Sequence, residues 1–177
     1  MIASSARRGF VTLLLIALSA TASGAADEKL RPMKNPVPAS AFMLRDLNGK
    51  LTSLADFEGK VLLLNFWATW CTNCLKEMPE LQQLYQTHRA DGLEVVGVSV
   101  DIGAPGEVKA FAEKLKINFL ILHDRDSIVS RLYGNPGVPV SYLIDRQGRI
   151  AYRVLGDYDW LSPQARAAVK GLLQDKH

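Results

Sequence analysis

Cysteine is scarce in this chain: 177 residues hold two of them, Cys71 and Cys74. Two are far too few for a disulfide scaffold, and a chain of this length can fold without one. Histidine is nearly as scarce, with three: His88, His123 and His177. Without a second cysteine pair a zinc knuckle, which wants four ligands at compact spacing, is excluded. A strong charge bias is absent too. The formal net charge is +3, and no basic cluster stands beyond Arg7 and Arg8, which argues against a nucleic-acid partner. The apolar run GFVTLLLIALSA (9–20) is too short for a comfortable membrane span. No internal repeat is visible.

What is present is enough apolar material, 48% of residues, for one globular core. The chain opens with Arg7 and Arg8, the short apolar run and the small-residue stretch TASGAA (21–26). A positive start, an apolar centre and a small-residue end describe a signal peptide over residues 1–26, with cleavage after Ala22, Ala25 or Ala26. Retention as a membrane tether through residues 9–20 is the alternative. No cysteine stands near the cleavage region, so a lipoprotein anchor is excluded. Removal of residues 1–26 leaves a net charge of +1. The protein is thus read as periplasmic or otherwise exported, where a disulfide can persist.

Residues 27–40 mix charge with three prolines and read as a linker, with a domain over 41–177. Asn48–Gly49 between apolar stretches signals a hairpin. KVLLLNFWA reads as a strand buried on both faces, and the run after it switches to helical spacing at Leu75, Met78, Leu81 and Leu84. Pro79 inside that helix predicts a kink or break. LEVVGVSV and NFLILHD read as further strands, separated by the helix PGEVKAFAEKLKI. SIVSRLYG reads as a short helix, VSYLIDRQGRIAYRVLG as two strands around a turn, and SPQARAAVKGLLQ as a closing helix capped by Ser162. Buried strands alternating with helices predict an α/β fold with a partly parallel sheet, to which the late hairpin adds antiparallel edges.

The cysteine pair follows a buried strand and opens a helix, at the sheet end where ligands meet parallel α/β proteins. At a helix N-terminus, free N–H groups and the macrodipole favour an anion, here the nucleophilic thiolate of Cys71. Cys74 lies three residues on, nearly on the same face. Attack by Cys71 on a substrate disulfide gives a mixed disulfide that Cys74 resolves. Trp67 reads as a core aromatic and Trp70 as a partly exposed one that shapes the substrate surface. In GVPVSYLID, Pro139 marks a strand start; a cis bond there would aim the Val138 backbone at an incoming peptide.

FWATWCTNC followed by GVPVSYLID resembles the thioredoxin superfamily, and the wider match over 41–174 is similar to its exported TlpA/ResA-like branch. That resemblance implies a thioredoxin fold: a central mixed sheet with helices on both faces and an N-terminal β-hairpin. It carries the nucleophile to Cys71, the resolving cysteine to Cys74 and the cis-proline to Pro139. It also marks Glu77, shortly after the second cysteine, as a candidate for tuning the thiols or relaying protons. Three features depart from the pattern. Thr72 and Asn73 stand between the cysteines where the family often has proline. Asn65 takes the place of a buried aspartate and cannot exchange a proton. Val140 and Ser141 replace threonines after the cis-proline.

The expected function is therefore an extracytoplasmic thiol-disulfide oxidoreductase that reduces client disulfides, with apocytochrome c the leading client by resemblance. Its partners would be a client protein with a disulfide or dithiol and a membrane dithiol relay as electron donor. A monomer without cofactor or metal is expected. Two alternatives stand beside this reading. A copper-binding assembly factor would enlist His123. A thiol peroxidase usually has threonine three positions before its reactive cysteine, where Ala68 precedes Cys71. Glu77 has its own plain alternative, an exposed helix carboxylate near the dipole.

Overall fold

The computed structural model describes residues 29–175. The segment 1–26, read as signal peptide or tether, lies outside them, as does His177. Among the described residues no helix is long and apolar enough to cross a membrane.

Eight strands form one mixed sheet: β1 (Arg31–Pro38), β2 (Met43–Asp46), β3 (Leu51–Ser53), β4 (Val61–Trp67), β5 (Leu93–Ser99), β6 (Leu120–His123), β7 (Val140–Ile144) and β8 (Arg149–Leu155). Their order across the sheet is β1-β8-β7-β4-β5-β6-β2-β3. β4, β5 and β6 run parallel, and all other pairings are antiparallel. Among the described residues four α-helices accompany the sheet: α1 (Thr72–His88), α2 (Pro105–Lys114), α3 (Ile128–Leu132) and α4 (Pro163–Gln174).

The continuous apolar run of β4 is buried at every position because both of its faces are covered. Val61, Leu63 and Trp67 pack with Met78, Leu81 and Leu84 of α1, Val108 and Ala112 of α2, and Val169 of α4. The alternate residues Leu62, Leu64 and Phe66 pack on the other face with Phe42, Phe57, Val129 and Tyr133. Removing a side chain such as Leu81 or Leu84 from water contributes about 1.5–3 kcal/mol. Helices thus lie on both faces, with α3 and the short 3-10 turn at Leu54–Phe57 packed against the second. The Trp67 indole needs room on β5, and Gly97 leaves it: a Cβ there would lie 2.8 Å from Ile121 Cδ1 and 3.0 Å from Trp67 Nε1.

Three features differ from the sequence reading. Within the stretch read as a linker, Arg31–Pro38 is the strand β1 paired with β8, and Leu30 is buried in the core. An edge strand tolerates Pro32, Pro36 and Pro38 because only one side of it must supply ladder hydrogen bonds. The late hairpin is not at an edge: β7 is fully buried between β4 and β8, and the edges are β1 and β3. No break occurs at Pro79, and α1 is one helix on both sides of it. The Asn48–Gly49 hairpin forms as expected, with Gly49 at φ 87°, and docks on β6 through Arg45 and Asp46.

Candidate active site

Cys71 is the N-cap of α1, with extended backbone, and its Sγ accepts the Cys74 N–H at 3.2 Å. A disulfide joins the two residues, their Cα atoms 5.3 Å apart. Access is unequal: Cys71 is 7% exposed and Cys74 fully buried. Cys71 is thus the more accessible of the two residues. Trp70, just before it, is 69% exposed, whereas Trp67 is wholly in the core, as each was read from sequence.

The Val138–Pro139 bond is cis. The antiparallel register of β7 on β4, Phe66 opposite Val140 and Asn65 opposite Ser141, sets Pro139 against the end of β4, from which the chain runs on to Cys71. Val138 is half-buried and Pro139 buried. The sheet thus brings together two motifs some seventy positions apart in the chain.

Glu77 is 2% exposed, which removes the alternative of an exposed helix carboxylate. Asn65 Nδ2 donates to its Oε1 at 2.7 Å and to Ser141 Oγ at 2.9 Å. The Tyr158 backbone N–H donates to Glu77 Oε2 at 3.3 Å. One turn on, Glu80 Oε2 accepts the Trp160 N–H at 2.9 Å, so two α1 carboxylates hold the loop 156–162 against the helix. Burial pushes the Glu77 carboxyl up from its ordinary 4.5 to about 7, against the lowering pull of the Asn65 and Tyr158 bonds. An acid that exchanges its proton near neutrality suits proton handling beside thiols.

Sequence reasoning missed Asp101 altogether. Its buried carboxylate accepts from the Thr69 N–H at 3.0 Å, the Thr69 hydroxyl at 2.6 Å and the Ser99 hydroxyl at 2.8 Å. This ties the loop before Cys71 to the end of β5. His123 donates from Nε2 to the Asp101 carbonyl oxygen at 2.8 Å, so this nitrogen is engaged in holding the loop. No local pattern announces these roles, because each partner comes from a different strand end. Ser141, noted from sequence only as a departure, proves to be a partner of Asn65. A cavity of about 330 Å³ lies at the far end of the sheet, by Leu62 and Ile144, away from the cysteines.

Comparison with known proteins places this geometry. The AhpC/TSA family model matches residues 35–153. The chain belongs to the AhpC/TSA family. Among curated relatives, the thiol-disulfide oxidoreductase ResA of Geobacillus thermodenitrificans is 36% identical over 119 residues, 67% of each chain. ResA of Bacillus subtilis is 33% identical over 154 residues, 85% of this chain and 83% of the relative. A solved structure assigned as thiol:disulfide interchange protein DsbE from Chlorobium tepidum superposes with a TM-score of 0.74 at 29% identity, covering 80% of this chain and 99% of that one. The fold is therefore the expected thioredoxin fold, and this AhpC/TSA member is a thiol-disulfide oxidoreductase of the ResA and DsbE type.

Proposed function

We propose that the protein works outside the cytoplasm as a reductase of client-protein disulfides, with Cys71 as nucleophile and Cys74 as resolving cysteine. The observation that carries the order is the unequal access of the two sulfurs, with Cys71 at the helix N-cap and Cys74 fully buried. The Cys71 thiolate attacks one client sulfur, and the other client sulfur leaves as a thiolate. Cys74, deprotonated, then attacks Cys71 Sγ and expels the remaining client sulfur. Two electrons pass to the client, and the Cys71–Cys74 disulfide is the oxidised product. Glu77, one turn beyond Cys74 on α1, accepts the proton that Cys74 gives up. Asn65 orients that carboxyl, since its amide donates but has no proton to exchange. Trp70, Val138 and Pro139 form the surface on which the client lies.

Export rests on the pattern of residues 1–26, whose apolar part at 9–20 would tether the protein if retained. A membrane dithiol relay returns electrons to the pair, and apocytochrome c is the client that the family resemblance favours. The protein acts as a monomer. The direction of transfer is tested by equilibrating the purified protein with glutathione. A reductase should be half-oxidised toward about −270 mV, and a value toward about −120 mV would make it a disulfide-forming oxidant instead.

A further inference from the structure

The turn that delivers Cys71 to its helix is held from outside itself. The Cys71 N–H donates to the Ala68 carbonyl at 3.2 Å and closes the turn Ala68–Cys71 between β4 and α1. Such a turn leaves the N–H of its second residue, here Thr69, without a partner of its own. Thr69 is half-buried, so the protein must meet that donor. Asp101, just beyond the end of β5, does so. Its Oδ2 accepts the Thr69 N–H at 3.0 Å, and its Oδ1 accepts the Thr69 hydroxyl at 2.6 Å. One carboxylate thus takes both donors of one turn residue, and hydrogen bonds to an ionised acceptor are about twice as strong as neutral ones.

Asp101 is itself fixed. It is buried, its Oδ2 accepts the Ser99 hydroxyl at 2.8 Å, and its own N–H donates to Ser99 Oγ at 3.2 Å. Ser99 is fully buried as the last residue of β5, and His123, the last residue of β6, holds the Asp101 carbonyl. The clamp therefore ties the turn to two paired strands of the sheet. On the helix side, the Cys71 carbonyl accepts the Leu75 N–H at 3.2 Å and Sγ accepts the Cys74 N–H at 3.2 Å. In the oxidised protein the disulfide also holds this sulfur, and reduction removes that covalent tie. The sulfur then keeps its place only through the backbone that carries it. Place matters, because the favourable effect of a helix N-terminus on an anion falls off within the first turn.

We propose that Asp101 is the positioning residue of the nucleophile: by clamping Thr69, it keeps Cys71 Sγ on the N-terminal N–H groups of α1 once the disulfide is open. The inference rests on the reading of Cys71 as nucleophile and adds the group that holds it in the reduced state. Asp101 acts through Thr69 and takes no part in the exchange of sulfur bonds. Its charge alone would act the other way, since a nearby carboxylate disfavours a thiolate. Clamp and charge therefore predict opposite signs.

The test follows the rate of alkylation of the reduced protein by iodoacetamide against pH, with the labelled cysteine located by mass spectrometry. Asp101→Ala should move the midpoint of the Cys71 profile up by about half a pH unit, a roughly threefold rise in the thiolate's affinity for its proton. Thr69→Val keeps the shape of the side chain and the Asp101 charge but loses the hydroxyl, and should move the midpoint the same way by less. Thr69→Ser keeps the hydroxyl and should keep the wild-type midpoint. The other ionisable groups on the elements around the pair, Lys76 and Glu77 on α1, His123 and Arg125 at the end of β6, and Asp157 and Tyr158 in the loop 156–162, are the same in every variant. If Asp101→Ala does not fold, Thr69→Val carries the test. A midpoint unmoved in Thr69→Val, or moved down in Asp101→Ala, overturns the clamp while leaving Cys71 as nucleophile. Preferential alkylation of Cys74 in the wild type overturns the nucleophile assignment itself, and the positioning role with it.

Discussion

Glu77→Gln should flatten the pH dependence of the protein's stability. The folded protein holds the Glu77 proton up to about pH 7, because burial outweighs the hydrogen bonds that favour the charged form. Below pH 4.5 the carboxyl is protonated in both folded and unfolded chains, and whatever it contributes is fully present. Between 4.5 and 7 the unfolded chain releases the proton while the folded one keeps it. Stability therefore falls as pH rises through this window, and the loss is complete above the folded value. At about 1.4 kcal/mol for each tenfold change in the protonation equilibrium, the rise from 4.5 to about 7 corresponds to about 3 kcal/mol. Glutamine copies the protonated acid, with one acceptor for Asn65 or Tyr158, similar volume and no titration. The variant should match wild type near pH 4.5 and exceed its stability at pH 8.5 by as much as about 3 kcal/mol. Urea unfolding of both oxidised proteins across pH 4.5–8.5 measures this directly. Parallel stability curves would refute the reasoning, and would mean that water or local opening solvates the carboxylate.

Two further outcomes follow from the same geometry. Cys74→Ala should accumulate mixed disulfides with clients on non-reducing gels, because the buried resolving sulfur is gone, whereas Cys71→Ala should not; equal trapping by both would remove the ordered mechanism. Gly97→Ala should lower stability by about 1–3 kcal/mol in a thermal or urea melt, since the added methyl lies 2.8 Å from Ile121 Cδ1 and 3.0 Å from the Trp67 indole nitrogen. An unchanged melt would mean that Trp67 is not confined by β5.

The local chemistry of the site was legible in the sequence. A strand-length apolar run, a cysteine pair and a helical period mark a redox pair at a helix N-terminus, because each depends only on neighbouring residues and backbone periodicity. The same logic misled at 27–40, where three prolines suggest a linker. Proline records which hydrogen bonds a segment cannot make, and an edge strand needs only those on one side. The late hairpin was legible as two strands but not as an internal part of the sheet, since strand order is a matter of pairing between distant segments. The state of Glu77 lay equally out of reach. On the helix it is one more carboxylate, and only packing against distant segments, among them Asn65 on β4 and Tyr158, 81 residues away, buries it; that burial moves its proton affinity toward neutrality against the lowering pull of the two hydrogen bonds. Asp101 acquires its role in the same way, through hydrogen bonds from Thr69 and Ser99 at the ends of two neighbouring strands. Sequence alone determined which groups can react. Tertiary packing decided which of them are dry, which can be reached, and which share one surface, because desolvation and proximity belong to residues the chain keeps far apart until it folds.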